Sequence, residues 1–510
     1  MTTGTATLTW FARHELTLAW RDWASLMSGG KTAREYAATV FTLGFIVLLH
    51  GLAYALLEPI ITGSIAITPE SLVLITAMLL ATFSMMLSQA IEQVTRAFYA
   101  RADLDLILSS PAAAHHLFAV RIASIAVAGT VMTSLLAAPL INTAAYLGGI
   151  SILSAYVVLA AMSMMATAIS VVTAVALFKS IGPKRTRLVA QIVAAVVGAA
   201  LLIGLQIVAI VSNGDLSRMT VLRSAAMMKL TPDASSLFWI PAKAVIGQPF
   251  AVITMFALGV AALAAVIARH ASQFGHHAVV ASGSSETEVA RAGTTRGFRG
   301  RSMAQALRAK EWVLLRRDPW LASQTLMQVL YLLPPALLLW RDMGPDKHVD
   351  TILVPVLVMA FGQLAGGLAW LAISGEDAPE LVATAPLKPA AVMRAKIEAV
   401  LAVIGCVAAP LVIGLAFVAV PSAAIALVGI MAAGCSAIAI QIWFKSTAKR
   451  SQFRRRQTAS KSATFAEAFS SIFWAAAAGF GVTGYWLPAM LFAVMALVAL
   501  STARWMSPRS

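Results

Sequence analysis

The sequence is poor in charge and in cysteine. Charged residues make up 12% of its 510 residues, and hydrophobic residues make up 59%. This composition excludes an ordinary soluble protein and is typical of a polytopic membrane protein. The two cysteines, Cys406 and Cys435, lie within apolar stretches. We therefore expect neither a disulfide framework nor a cysteine metal site, and we expect both residues to pack as small apolar groups.

Acidic residues are also scarce, since 22 Asp and Glu stand against 38 Lys and Arg. Such an excess occurs in nucleic-acid-binding proteins, but here the basic residues cluster between apolar stretches, as in cytoplasmic loops. With a cytoplasmic N-terminus, all but six basic residues lie on the cytoplasmic side. Those six are Arg218, Arg223, Lys229, Lys243, Arg341 and Lys347. We expect no nucleic acid partner, a location in the cytoplasmic (inner) membrane, and both termini in the cytoplasm.

Long apolar stretches are the main feature of the chain. A bilayer core of about 30 Å requires roughly 20 apolar residues per helix, and twelve stretches satisfy this requirement. They start near Ala37, Ser71, Phe118, Ile152, Leu188, Ala251, Leu321, Ile352, Ile397, Ala423, Ala463 and Leu487. Only the turn Gly481-Val482-Thr483-Gly484 separates the last two, so a re-entrant pair is an alternative there.

The chain contains an internal repeat. Residues 105–111 match residues 380–386 at an offset of 275, and the register continues through Arg121 against Lys396. Other landmarks recur in the same order: Glu15, Arg21 and Asp22 match Glu311, Arg317 and Asp318, and Phe178 matches Phe444. The repeat predicts an all-α polytopic membrane protein with two tandem six-helix transmembrane repeats, each preceded by an amphipathic surface helix.

The repeat also predicts the division of the chain. The first half covers residues 1–271, with its surface helix at 5–28, and the second covers residues 303–510, with its surface helix at 303–318. The polar stretch 272–302 is the expected cytoplasmic linker. The outer segment 212–250 has no counterpart of similar length in the second half, and it is either a loop along the membrane surface or a gate.

Residues 103–111 and 377–386 are the most informative repeated segments. In each, a span is predicted to run past the membrane into a short helix, which a proline ends before the next helix starts. The resulting elbow suits a groove on another protein, although a single copy also fits an ordinary helical hairpin loop. Recurrence in both halves favours a shared mechanical role.

These segments resemble the coupling segments of type-2 exporter permeases of the ATP-binding-cassette class, in the form with two fused six-span halves. The resemblance assigns the first coupling segment to Asp103, Leu104, Asp105, Leu106, Ser110 and Pro111. It assigns the second to Asp377, Glu380, Leu381, Thr384 and Pro386. It also assigns a surface, or elbow, helix to each half, and the charged residues of these helices are Glu15, Arg21, Asp22, Glu311, Arg317 and Asp318. In the second copy Ala378-Pro379 replaces the acidic start, which leaves equal engagement of the two halves open.

The resemblance implies a transport subunit that moves an unknown substrate outward. Cytosolic ATPase subunits, two copies of them, would dock on the coupling segments and would carry the ATP and magnesium. Membrane lipids would surround the spans. The chain itself lacks a phosphate-binding loop, because Ser25 stands where the motif ending in Gly30-Lys31-Thr32 requires glycine. We expect no catalytic residues, no metal site and no cofactor on this chain.

An ion-coupled secondary transporter of the major facilitator type is the alternative function. Such carriers need ionisable groups at membrane depth, whereas here Glu92, Glu398 and Glu467 all lie near predicted span ends. Neutral polar residues such as Gln441 are expected to bond between helices. A lipid-modifying enzyme or an assembly scaffold is a third possibility, for which the sequence shows no catalytic constellation.

Overall fold

A computed structural model of the chain describes most of its length. The described ranges are 49–61, 67–99, 114–213, 221–283, 302–317, 350–374, 384–444 and 461–507, with the single positions 13, 17, 43, 46, 47, 330, 334, 337 and 382. The described part consists of helices joined by turns and contains no strand. It confirms the predicted all-α class.

Twelve α-helices with described bounds and two 3-10 turns follow one another, and residues 49–57 before them are also helical. The helices before the predicted linker are α1 (Pro69–Tyr99), α2 (Ala114–Gly148), α3 (Ala155–Asn213), α4 (Ala225–Leu230), α5 (Ile240–Ile246) and α6 (Pro249–Gly283). Those after it are α7 (Met303–Arg317), α8 (Asp350–Ser374), α9 (Pro389–Val418), α10 (Val420–Trp443), α11 (Lys461–Val482) and α12 (Trp486–Met506). The 3-10 turns are Ile150–Ser154 and Leu237–Trp239.

Ten stretches within these helices are long and apolar enough to cross a membrane, so the chain is a multi-pass membrane protein. They are Pro69–Thr95, Phe118–Gly148, Ile150–Gly182, Val189–Val211, Pro249–His270, Asp350–Ile373, Pro389–Val418, Val420–Trp443, Ala463–Val482 and Trp486–Trp505. Each corresponds to a predicted span. Of the other two, the span predicted near Ala37 is described in part, with residues 49–57 helical, and the span predicted near Leu321 falls largely outside the described residues.

The described residues divide into two compact units: residues 1–205 with 217–289, and residues 206–216 with 290–510. In the first unit the stretch Ile150–Gly182 is central, and 61% of its most apolar window is buried. Val158 and Met162 of α3 pack there against Met86 of α1 and Met255 of α6. Gly182, at φ 75°, breaks α3 into two spans in a conformation that glycine tolerates best.

Residues 221–250, the part of the predicted outer segment that the structure describes in the first unit, are folded. Trp239 is 2% exposed, packs with Leu72 of α1, and donates its indole N–H to the Pro232 and Asp233 carbonyls at 3.2 and 3.1 Å. The segment is also fixed to the turn before α3, because the Ser154 hydroxyl donates to the Ala244 carbonyl at 2.6 Å. Residues 221–250 therefore form a small packed cap on the first unit.

In the second unit, α8 lies at the centre. Of its most apolar window 61% is buried, against 17% for α12. Leu357, Phe361 and Leu368 of α8 belong to the largest apolar cluster of the unit, which also contains residues of α9, α10 and α11. In water, removal of apolar surface from the solvent would drive this packing. Between spans in lipid, close van der Waals contact between the helices takes that role.

Very short connections join successive spans. Ala419, in an extended conformation, is the single residue between α9 and α10, and Gly149, at φ 113°, separates α2 from the 3-10 turn before α3. Gly484, at φ 80°, forms the turn between α11 and α12, both of which are long enough to span. These two full-length helices oppose the re-entrant alternative.

The two units keep the same order of spans but differ in packing. Counted from the surface helix, α1 and α8 occupy the same place in the repeat, yet 17% of the α1 window and 61% of the α8 window are buried. Two sequence expectations are also wrong. Cys406 and Cys435 are exposed on their spans instead of packed inside. The span predicted from Ile397 belongs to a helix that begins at Pro389, and the reason lies in the charges described next.

Candidate functional site: a buried ion-pair cluster beside the second coupling segment

The second predicted coupling segment lies between α8 and α9, and the described residues at its edge show how α9 begins. Thr384 and Pro386 are exposed. The helix starts three residues later, with Lys388 as the capping residue and Pro389 in the first turn. Proline suits that position because the first turn leaves backbone N–H groups unpaired in any case. Pro389 therefore begins the helix, in place of the predicted Pro386.

Lys396 connects three helices at this end of the unit. Its ammonium group lies 3.4 Å from the Glu311 carboxylate of α7 and donates to the Ala372 carbonyl of α8 at 2.5 Å. The Lys396 and Glu311 side chains are only 7% and 1% exposed. Ala372 lies in the last turn of α8, where carbonyls have no partner within the helix, so a cation is favoured there. We call Lys396, Glu311 and the Ala372 carbonyl the lysine clamp.

Local sequence explains why α7 brings Glu311 to this position. The Ser302 hydroxyl accepts a hydrogen bond from the Gln305 backbone N–H at 3.3 Å, and the Gln305 side chain accepts one from the Ser302 N–H at 3.2 Å. This reciprocal capping box fixes the start of α7 at Met303. Leu307 and Glu311 are four residues apart, both are buried, and they therefore share the face of α7 that meets the bundle.

A second, more exposed group of charges surrounds the lysine clamp. Glu398 of α9 accepts hydrogen bonds from Arg308 of α7 at 2.6 Å and from Arg394 of α9 at 2.9 Å. The side chains of Arg308 and Arg394 are 52% and 80% exposed, so these pairs contribute little stability compared with the buried pair. The hydrogen bond to Glu398 raises the pKa of Arg308, which keeps this guanidinium charged.

Of the predicted site residues, Glu311 is part of the lysine clamp. Arg317 is the last residue of α7, and Thr384 and Pro386 are exposed. The others lie outside the described residues: Asp103, Leu104, Asp105, Leu106, Ser110, Pro111, Glu15, Arg21, Asp22, Asp318, Asp377, Glu380 and Leu381. Their roles stay predictions.

The sequence reasoning missed Lys396 as a site residue. It appeared only as the repeat counterpart of Arg121, whereas Glu311 was predicted as an elbow-helix residue and as the counterpart of Glu15. Two charges of opposite sign, each repeated at a fixed offset beside apolar stretches, were the signal that they form a pair.

A second polar site lies inside the bundle. Glu467 of α11 is 9% exposed, and its carboxylate accepts a hydrogen bond from the Gln441 side chain of α10 at 2.8 Å. This contact confirms that Gln441 bonds between helices. Among the residues that the structure describes, no group of three or more His, Cys, Asp and Glu side chains is placed to hold a metal ion.

Comparison with known proteins identifies no relative of this chain. No protein-family model, no curated protein and no solved structure matches it.

Proposed function

We propose that this protein is the membrane permease subunit of an ATP-driven exporter of the ATP-binding-cassette class. In this proposal the chain lies in the cytoplasmic membrane with both termini in the cytoplasm. Two cytosolic ATPase subunits, which carry the ATP and magnesium, bind the two coupling segments. Their closure moves the two halves and so alternates access to a path for the substrate, and this chain performs no catalysis.

The lysine clamp is the observation that carries this proposal. The second coupling segment connects α8 to α9, and Lys396 holds those two helices together through the Ala372 carbonyl. The same ammonium pairs with Glu311, so that the surface helix α7 is joined to them. A displacement of the segment would therefore reach three helices together instead of being absorbed by a flexible loop. This is what a force-transmitting contact requires.

The exposed surface of the spans supports a lipid environment. On α12, the side chains of Trp486, Leu487 and Met490 are 63%, 85% and 70% exposed. Apolar exposure on this scale marks an interaction surface, and on a candidate span the bilayer is the partner that fits. Trp486 and Trp505 stand at the two ends of this span, where aromatic residues suit the membrane interface.

Copurification with charge-reversed variants tests the proposal. The tagged wild-type protein is isolated from its native membranes, beside a variant carrying Asp105→Lys and Glu380→Lys and a control carrying Asp233→Lys. Asp233 is exposed in the outer segment, so its reversal leaves the predicted docking surface unchanged. We expect a cytosolic ATPase with the wild type and the control, and its loss from the double variant. Absence of any ATPase from the wild type, with transport intact in the double variant, would refute the proposal.

The ion-coupled secondary transporter is the second candidate, and Glu467 is the observation that favours it. A buried carboxyl within a span is the kind of group that such carriers use to hold a coupling ion. Transport by the purified chain in vesicles, without an ATPase and abolished by an uncoupler, would establish this function. Transport that needs both ATP and a second protein would exclude it.

A further inference from the structure

Glu467 occupies a closed position between three helices. It lies one turn inside the span that begins at Ala463, near the predicted cytoplasmic side. Gln441 of α10 supplies a neutral donor to one carboxylate oxygen at 2.8 Å. On the α8 side the neighbour is Gly366, where an added methyl group would overlap the Glu467 carboxylate. The lack of a side chain at Gly366 therefore provides the space that the carboxyl fills, and leaves none for a hydrated metal ion.

Two buried hydroxyl groups lie beside Glu467 on α11. Ser470 and Ser471 are each 1% exposed, and neither hydroxyl has a hydrogen-bond partner among the described residues. They follow Glu467 by three and four positions, so they share its face of α11. Ser471 points at Gly362 of α8, whose added methyl would lie 2.6 Å from the hydroxyl oxygen. Buried unpaired hydroxyls are rare enough to require an explanation, and donors held ready for a neighbouring charge are one.

The helices packed on α11 supply no charge to neutralise Glu467. Along α8 the only ionisable residue is Asp350, at the opposite end of the helix, and along α10 it is Cys435, which is exposed. On α12 it is Arg504, whose guanidinium lies over the Trp443 ring at 5.0 Å. Lys461, in the first turn of α11 itself, has a side chain outside the described part; among the side chains that are described, no cation lies at ion-pair distance from Glu467. A carboxylate buried with one neutral donor is strongly unfavourable, whereas a protonated carboxyl is not.

The α8 and α10 neighbours of Glu467 have apolar counterparts in the first half. At the repeat offset of 275, Gly366 corresponds to Ile91, and in the register of Phe178 and Phe444, Gln441 corresponds to Val175. Ile91 packs there in an apolar cluster with Leu177 and Val193. The glycine and the amide that surround Glu467 are therefore not repeated in the first half.

We propose that Glu467 is a proton-binding site that closes the seam between α8, α10 and α11. With the proton on a carboxylate oxygen, the carboxyl is neutral and fits against Gly366. Loss of the proton to the cytoplasmic side leaves a carboxylate, which draws the Ser470 and Ser471 hydroxyls as donors and loosens the contact with α8. The site goes beyond the proposed function, because a proton can bind there whichever energy source drives transport.

Infrared spectroscopy of the whole purified protein in lipid nanodiscs tests the proton directly. Wild-type protein at neutral pH is expected to show a carboxylic acid C=O band that shifts in D₂O, shifts again with ¹³C-labelled glutamate, and disappears as the pH is raised. The band should be absent from Glu467→Gln, which keeps the shape of the neutral carboxyl. It should persist in the control Glu398→Gln, which removes an exposed carboxylate already paired with Arg308 and Arg394.

If Glu467→Gln fails to fold, the ¹³C label still shows that the wild-type band comes from a glutamate. Gly366→Ala then serves as the second variant. The added methyl crowds the carboxyl, so we expect its band to shift or vanish in this variant. No glutamic acid band in the wild type, or the same band in Glu467→Gln, would overturn the proposal. Neither result depends on an ATPase, so failure here is distinct from failure of the proposed function.

Discussion

Breaking the lysine clamp tests the packing argument most directly. In Lys396→Met, the Glu311 carboxylate, 1% exposed, keeps Lys310 at 3.4 Å as its one charged partner among the described residues, and the Ala372 carbonyl loses its donor. Removal of one partner from a buried ion pair costs about 3–5 kcal/mol, so this variant and Glu311→Leu are each expected to lose that much unfolding free energy.

The double variant Glu311→Leu with Lys396→Met should lose far less. It leaves no unpaired buried charge, and the remaining loss is the unpaired Ala372 carbonyl, about 1–3 kcal/mol. The two single losses therefore exceed the double loss by about 3 kcal/mol or more. The measurement is reversible unfolding in mixed detergent micelles with increasing SDS, followed by tryptophan fluorescence.

A matched control uses the exposed charges next to the clamp. Arg394→Met removes a side chain that is 80% exposed, and we expect a loss of less than about 1 kcal/mol. If the single losses at Glu311 and Lys396 add up to the double loss, or all variants are as stable as Arg394→Met, the buried pair does not hold these helices together and the reasoning fails.

Three further predictions follow from particular residues. Gly484→Ala should cost about 1–2 kcal/mol in the same unfolding assay, because φ 80° is unfavourable for any side chain; wild-type stability would contradict it. Cys406 and Cys435 should resist a charged, impermeant maleimide in open membranes and react after denaturation, because the lipid covers their exposed faces; rapid labelling in membranes would place them in water. Reversing either Glu15 or Arg121 should destabilise the protein, and reversing both should restore stability, because they are the repeat counterparts of Glu311 and Lys396; additive losses would show that they do not pair.

Much of the fold was predictable from hydropathy and the repeat. Ten predicted spans appear as helices, and the span from Ala463 starts at the predicted residue. The conspicuous error is α9, predicted from Ile397 and observed from Pro389. Hydropathy counts Lys396 as a charge that ends a span, but hydropathy does not register a partner 85 residues away that neutralises it in space.

The candidate site was less accessible to sequence reasoning. The depth of Glu467 depends on Gly366, which lies about a hundred residues earlier in the chain, and no local pattern connects the two. The repeat aligned Glu311 with Glu15 and Lys396 with Arg121, but it did not show that Glu311 and Lys396 pair. It gave no help where they differ, because Ile91 and Val175 match Gly366 and Gln441 in position but not in chemistry.

The single-residue links at Gly149 and Ala419 have a practical consequence. Because the link is so short, the third and fourth spans of each half have to move together, and a tilt of one span also tilts the other. Reporter tags or protease sites inserted there would break the pair, so labels for following motion belong at the opposite ends of these helices.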